Sequence, residues 1–315
     1  MAQSGAHVSR ILTVVALSVV LIGALVAVDI VTLNKDRGAA LNPHYYMALG
    51  NSLSFGYQPN LDFSSGFADD VVNELNKASA TEIINYACPG ETTTTMIQGG
   101  CIGRYAHKGS YTGSQLLATT AFLTNPRYRG RVSPVTLEIG ANDVLPDYNT
   151  ATCSASANVE NDLATMDDNL TRVILPDLIN ALKTPRGALS GDLHLLNFYN
   201  PYAKICPSSS VFVHELNDHL LADAQKYRVA VIDVYSWFGG DTGMAQNICT
   251  FTWMCDPSFH DIHPTNAGYL RIAQAVESAL GLPGAPLPGI APPLTSAPQP
   301  ANVAFWRRPD AALSV

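Results

Sequence analysis

Positive charge is scarce in this 315-residue chain: 18 lysines and arginines face 26 aspartates and glutamates, for a formal charge of −8. A nucleic-acid binder needs a basic face to neutralise phosphates, so that class is excluded. The densest basic cluster, RYRGR at 127–131, has no second patch to support it and reads as a solvated loop. The chain lacks any Cys-x-x-Cys pair, which argues against a cysteine-built zinc site. The nearest approach to H-E-x-x-H is HELNDH at 214–219, whose second histidine comes one position too late. On a helix that offset turns the two rings apart, so the segment reads as a helix surface. There is no nucleotide motif and no internal repeat. No metal or other cofactor is expected.

Charge of either sign is missing altogether from Ile11 to Val28, ILTVVALSVVLIGALVAV. Arg10 precedes this run, and Lys35, Asp36 and Arg37 follow it. A cleavable signal has an apolar stretch of roughly 7–15 residues, whereas a spanning helix needs roughly 17–25. Leu25-Val26-Ala27 is also a poor cleavage site. Residues 1–33 therefore read as an uncleaved membrane anchor that leaves the rest of the chain outside the cytoplasm. A cleaved signal and a secreted protein are the alternative. No cysteine lies near this segment, which excludes a lipid-modified N-terminal cysteine. All six cysteines lie beyond it, and an even count behind an export signal points to disulfides. Pairing between neighbours is expected: Cys88–Cys101, Cys153–Cys206 and Cys249–Cys255.

A short polar linker, 34–43, leads to a body at 44–280. The tail, 281–315, is rich in proline and alanine, lacks apolar periodicity and is expected to be disordered. Within the body, apolar runs at 45–50, 82–87, 134–140, 193–199 and 229–235 read as buried strands. Amphipathic patterns at 66–78, 160–182, 210–227 and 266–280 read as helices. Such alternation predicts an α/β fold, a parallel sheet covered on both faces. Active groups in these folds gather at the carboxyl ends of the strands. GNSLSFG (50–56), CPGETT (88–93) and GAND (140–143) each follow a predicted strand, so three polar turns meet at one edge.

Those turns, with DIHP at 261–264, come in the order and spacing of the conserved blocks of the GDSL, or SGNH, hydrolases, and the chain resembles that family across nearly all of its body. The resemblance implies a three-layer α/β/α sandwich of flavodoxin-like form. It also implies hydrolysis of esters through a serine acyl-enzyme. Family roles fall on Ser52 as nucleophile and His263 as base. The oxyanion hole falls to the backbone N–H groups of Ser52 and Gly90 and the side chain of Asn142. The residues support this independently. A serine hydroxyl is a weak nucleophile that needs an adjacent base, and glycine lets a backbone N–H approach a substrate closely.

Two positions depart from the family pattern. Asn51 stands where the family has aspartate. Asp261 lies two residues before His263 rather than three, the third position being His260. Asp261 is the expected orienting residue, with Asp256 in reserve and a backbone carbonyl as a further alternative. Phe55, Tyr57, Trp253 and Met254 flank the motifs and are candidate acyl-pocket residues, or ordinary core. The expected protein is an esterase or lipase acting on a small-molecule or lipid ester. Its rivals are an extracellular deacetylase of carbohydrate or cell wall using the same residues, and a non-catalytic surface binding module on the same fold.

Overall fold

A computed structural model describes residues 45–102, 108–184, 186–283 and 285. The anchor and linker, 1–43, and nearly all of the tail lie outside the described residues. Among the described residues, no helix is long and apolar enough to cross a membrane.

Five strands form one parallel sheet. They are β1 (Tyr45–Gly50), β2 (Glu82–Asn85), β3 (Val132–Glu138), β4 (Leu193–Leu196) and β5 (Ala230–Ile232). Their spatial order is β2-β1-β3-β4-β5, every pairing parallel. This is the doubly wound, flavodoxin-like order, and its direction reverses between β1 and β3. The central strands are continuous apolar runs because both faces are covered. Met47, Leu49, Val135 and Leu137 are fully buried, each worth roughly 1.5–3 kcal/mol. Inside the sheet, Tyr46 Oη pairs across strands with Thr136 Oγ1 at 2.8 Å.

The helices, in chain order, are α1 (Ser52–Phe55), α2 (Phe67–Leu75), α3 (Thr93–Gln98), α4 (Gln115–Thr124) and α5 (Ala141–Val144). Then come α6 (Val159–Asn169), α7 (Leu175–Ala181) and α8 (Ser209–Lys226). The last three are α9 (Val234–Trp237), α10 (Gly240–Phe251) and α11 (Asn266–Leu280). One outer layer joins α11 to α2, α9 and α10; the other joins α4 to α7 and α6 to α8. The sandwich has three layers.

Several elements differ from the sequence reading. The strands starting at 82, 193 and 229 are shorter than expected because the chain leaves the sheet as soon as it reaches the carboxyl edge. The helix expected over 160–182 is interrupted by a π turn at Leu170–Ile174. Pro176 follows at the start of α7; its missing N–H and its ring break the regular ladder there. In HELNDH, His214 turns to Asp241 and His219 to Asp167, on different sides of α8. The three disulfides join Cys88 to Cys101, Cys153 to Cys206 and Cys249 to Cys255.

Candidate active site

Ser52 is the first residue of α1, separated from β1 by Asn51 alone, at the point where the sheet order reverses. Gly50 ends β1 at φ +115°, and a Cβ there would lie 1.7 Å from the Glu138 carbonyl oxygen. Only glycine lets the chain bend so closely over β3. Asn51 caps α1, its Oδ1 accepting from the Leu53 N–H at 2.9 Å. Gly56 stops α1 in a left-handed conformation. Gln115 of α4 clamps the turn from beneath: its Oε1 accepts from Gly50 N–H at 2.6 Å and its Nε2 donates to Gly50 O at 2.9 Å. Tyr269 of α11 donates to the Tyr57 carbonyl at 2.7 Å. Ser52 itself is 8% exposed.

His263 reaches this serine from the loop before α11. Its Nε2 lies 2.8 Å from Ser52 Oγ, and its Nδ1 lies 2.6 Å from Asp261 Oδ1. The same oxygen accepts the His263 backbone N–H at 2.8 Å. A proton on Nδ1, held by the carboxylate, leaves Nε2 free to accept the serine proton. Burial would raise the Asp261 carboxyl, but the hydrogen bonds and charge of His263 overcome it and hold the group below its usual range. Asp256, the reserve, instead caps its own turn by accepting from Ser258 N–H. His260, at φ +47°, takes up the one-residue slip that brings Asp261 to the imidazole. Tyr199 fixes the loop from the sheet side, donating to the Ile262 carbonyl at 2.6 Å.

The remaining two turns close on the same edge. Cys88 N–H donates to Gly50 O at 3.0 Å, tying the β2 turn to the serine turn. Gly90 adopts φ +84° within it. Asn142, on α5, donates from Nδ2 to the Glu91 carbonyl at 3.0 Å, so its amide lies against the Gly90 segment. Asp143 anchors that contact by accepting from Thr93 N–H and Oγ1. Burial pushes the Asp143 carboxyl up to about 6 against the lowering effect of those bonds.

Of the four aromatic and sulfur-bearing flanks, Tyr57 sits with its ring 4.6 Å from the His263 ring, and it and Trp253 keep accessible surface. Phe55 is 1% exposed and packs edge-on against Phe63, so it stands in the core and not as an open pocket wall. Met254, inside the disulfide-closed turn, is 8% exposed, as Ser52 is. A groove of about 600 Å³ opens beside Glu91, lined by Thr95, Gln98, Ser110, Tyr111 and Gln115 among others.

Sequence reasoning did not assign Gln115, Tyr199, Tyr269 or Glu138 to the site. Glu138 had one visible signal: it is the lone acid in an otherwise uncharged strand, immediately before GAND.

A family model for GDSL-like lipases and acylhydrolases matches residues 48–271, a span that contains Ser52, Gly90, Asn142, Asp261 and His263. The chain belongs to that family, and it is a hydrolase of carboxylic esters. No curated protein matches the chain by sequence. Among solved structures, a lipase from a goat rumen metagenome is similar, with a TM-score of 0.53 at 20% identity over 77% of this chain and 99% of that one. An acetylxylan esterase from Geobacillus stearothermophilus covers 77% of this chain and 96% of its own at 13% identity, with a TM-score of 0.49. The lipase likeness carries the shared fold.

Proposed function

We propose that the protein is a serine esterase or lipase that works through an acyl-enzyme on Ser52. The observation that carries this reading is the unbroken chain of hydrogen bonds from Ser52 Oγ through His263 to Asp261. His263 takes the serine proton as Oγ attacks the ester carbonyl, then returns it to the departing alcohol. Water repeats the sequence to release the acid. The backbone N–H groups of Ser52 and Gly90 and the Asn142 amide stabilise the oxyanion, each donor worth roughly 2.7–4 kcal/mol by analogy with a protease.

The catalytic domain lies outside the cytoplasm, held to the membrane by the uncharged segment 11–28. Three disulfides accord with an oxidising compartment. One observation favours the deacetylase reading as a second choice. The groove beside Glu91 is lined mainly by polar and small residues, which suits a hydroxylated alcohol half better than a long apolar one.

The test is hydrolysis of nitrophenyl esters from acetyl to palmitoyl by residues 41–315, with Ser52→Ala alongside. Turnover by the wild type and none by Ser52→Ala supports the acyl-enzyme. A preference for medium or long chains selects lipase, and activity on acetyl alone selects deacetylase. Equal inertness of two folded, oxidised proteins overturns the reading in favour of a binding module.

A further inference from the structure

Just past the serine turn, a glutamine that the chemistry above does not use is sealed inside the molecule with both ends of its amide engaged. Gln58 is 0% exposed. Its Oε1 accepts from the Trp253 indole N–H at 3.2 Å, and its Nε2 donates to Asn266 Oδ1 at 2.6 Å. An indole nitrogen can only donate, so the amide oxygen must face Trp253 and the amide nitrogen must face α11. A buried amide is costly to leave unpaired, and here neither side is.

The two partners lie on either side of His263 in the chain. Trp253 holds the catalytic pair through its backbone: its N–H donates to the His263 carbonyl at 3.0 Å, and its carbonyl accepts the Asp261 N–H at 3.3 Å. Thr252 and Pro264 form an antiparallel bridge at the same place, so 251–253 and 263–265 are laddered together. Asn266 is the first residue of α11, next to its Thr265 cap. Gln58 thus grips the histidine loop at the Trp253 side and at the helix that follows it. It does so from the serine's own segment, where the Tyr57 N–H donates to Ser52 O at 2.9 Å. Tyr199 also braces the loop, but from the sheet side.

We propose that Gln58 is a positioning residue that sets the His263 loop against Ser52. The proposal rests on the reading of Ser52 and His263 as nucleophile and base. Those two residues are 211 positions apart, and the proton passes between them across 2.8 Å. Proton transfer needs that reach. The bonds the loop makes to itself keep its shape and the Asp261–His263 contact, but they do not set its distance from the serine. Gln58 carries the register of the serine segment to the Trp253 backbone, and so to Asp261 and His263. A loop freed from Gln58 keeps its own contacts and loses alignment at Ser52 Oγ. The defect then falls on the chemical step, because ground-state binding of a small ester does not use the Ser52–His263 contact.

The test is a double-mutant cycle of Gln58→Met and Trp253→Phe in the full chain on nitrophenyl acetate, with kcat expressed per site titrated to completion by a serine-directed phosphonate. Methionine keeps the length of glutamine without its amide, and phenylalanine keeps an aromatic ring without the indole N–H. Gln58→Met is expected to lower kcat about tenfold, with KM within about twofold of wild type. Trp253→Phe lowers kcat by about fivefold. The double variant falls no more than about twofold below Gln58→Met, because both changes break one bond. Counting titrated sites separates poor folding from poor positioning. Trp253→Phe, at a partly exposed side chain, reads the same bond where Gln58→Met does not fold, and an unchanged kcat there overturns the proposal by itself. Wild-type kcat in Gln58→Met, a defect confined to KM, or losses that multiply in the double variant also overturn it while Ser52→Ala remains inert. Activity retained by Ser52→Ala overturns the nucleophile reading, and this proposal with it.

Discussion

The two segments that meet at the Ser52–His263 contact are held by different means. The serine turn, 50–56, is buried throughout. Its partners are distant in sequence: Gln115 at Gly50, the Glu138 carbonyl at the Asn51 N–H, and Asn85, whose Nδ2 donates to the Ser54 carbonyl at 2.8 Å. The histidine loop, 252–265, is partly exposed and is stapled largely to itself. Trp253 N–H donates to His263 O, Asp261 serves His263, and Thr265 N–H donates to Phe251 O. Cys249–Cys255 closes its base. The nucleophile is thus placed by the global fold and the base by a local clasp. Damage to the first should propagate into stability, whereas damage to the second should appear first in catalysis.

The sharpest test of that contrast lies in the loop. His263→Ala removes the base and is expected to lower kcat on the order of 10⁵-fold with little change in melting temperature. Asp261→Asn leaves the loop in place but unsettles the tautomer, for a loss of about 10⁴-fold. Asp256→Asn is the control and should leave kcat within about twofold, because Asp256 serves only its own turn. Equal losses for the two aspartates would break the assignment. Asn142→Ala comes next, with an expected fall of about 10²–10³-fold in kcat and an unchanged KM for a small ester. A rise in KM with kcat intact would move Asn142 from the oxyanion to the ground state.

Burial makes the opposite prediction on the serine side. Glu138 has a folded pKa of about 8, above its value in the unfolded chain. Below the unfolded value both states bind the proton and the group costs nothing by linkage. As pH rises towards 8 the unfolded state releases the proton first, so stability is lost through that window. Glu138→Gln removes the titration. Its melting temperature should match wild type near pH 4 and exceed it by several degrees at pH 8. A difference independent of pH would mean that the carboxyl is not protonated in the folded protein.

How much of this was legible in the sequence follows from where each residue sits. The strands were readable because a doubly covered parallel strand is a continuous apolar run, as in YYMALG. Helix α4 was not, because QLLATTAFLT mixes polar and apolar residues on its faces and shows no apolar stripe. Helix α10 was hidden by Gly240, Thr242 and Gly243. Ser52, Gly90, Asn142 and His263 stood out because each lies in a polar turn beyond an apolar strand or before a helix. The choice between Asp261 and Asp256 depended on the left-handed backbone of His260, which no residue type announces. Glu138 was visible as an acid in a strand, but its burial at the end of β3, in register with Gly50, was not.

The smallest effect expected is at the clasp itself. In the chain-entropy picture a disulfide stabilises by restricting the unfolded chain, and short loops gain least. Cys249 and Cys255 are 6 residues apart, whereas Cys153 and Cys206 are 53 apart. Replacing the first pair by serines should cost about 2 kcal/mol of stability, and replacing the second about 4 kcal/mol. The catalytic consequences should run the other way. The long-loop pair touches its own surroundings, at Thr150, Ile205 and Ser208, and should leave kcat unchanged in the folded fraction. The short-loop pair braces the His263 segment. Its loss should lower kcat by about threefold at most, since Tyr199 and the Trp253 and Phe251 backbone bonds remain. A much larger fall would show that the covalent clasp, rather than this set of hydrogen bonds, sets the imidazole against Ser52. No change at all would give that task to the hydrogen bonds alone.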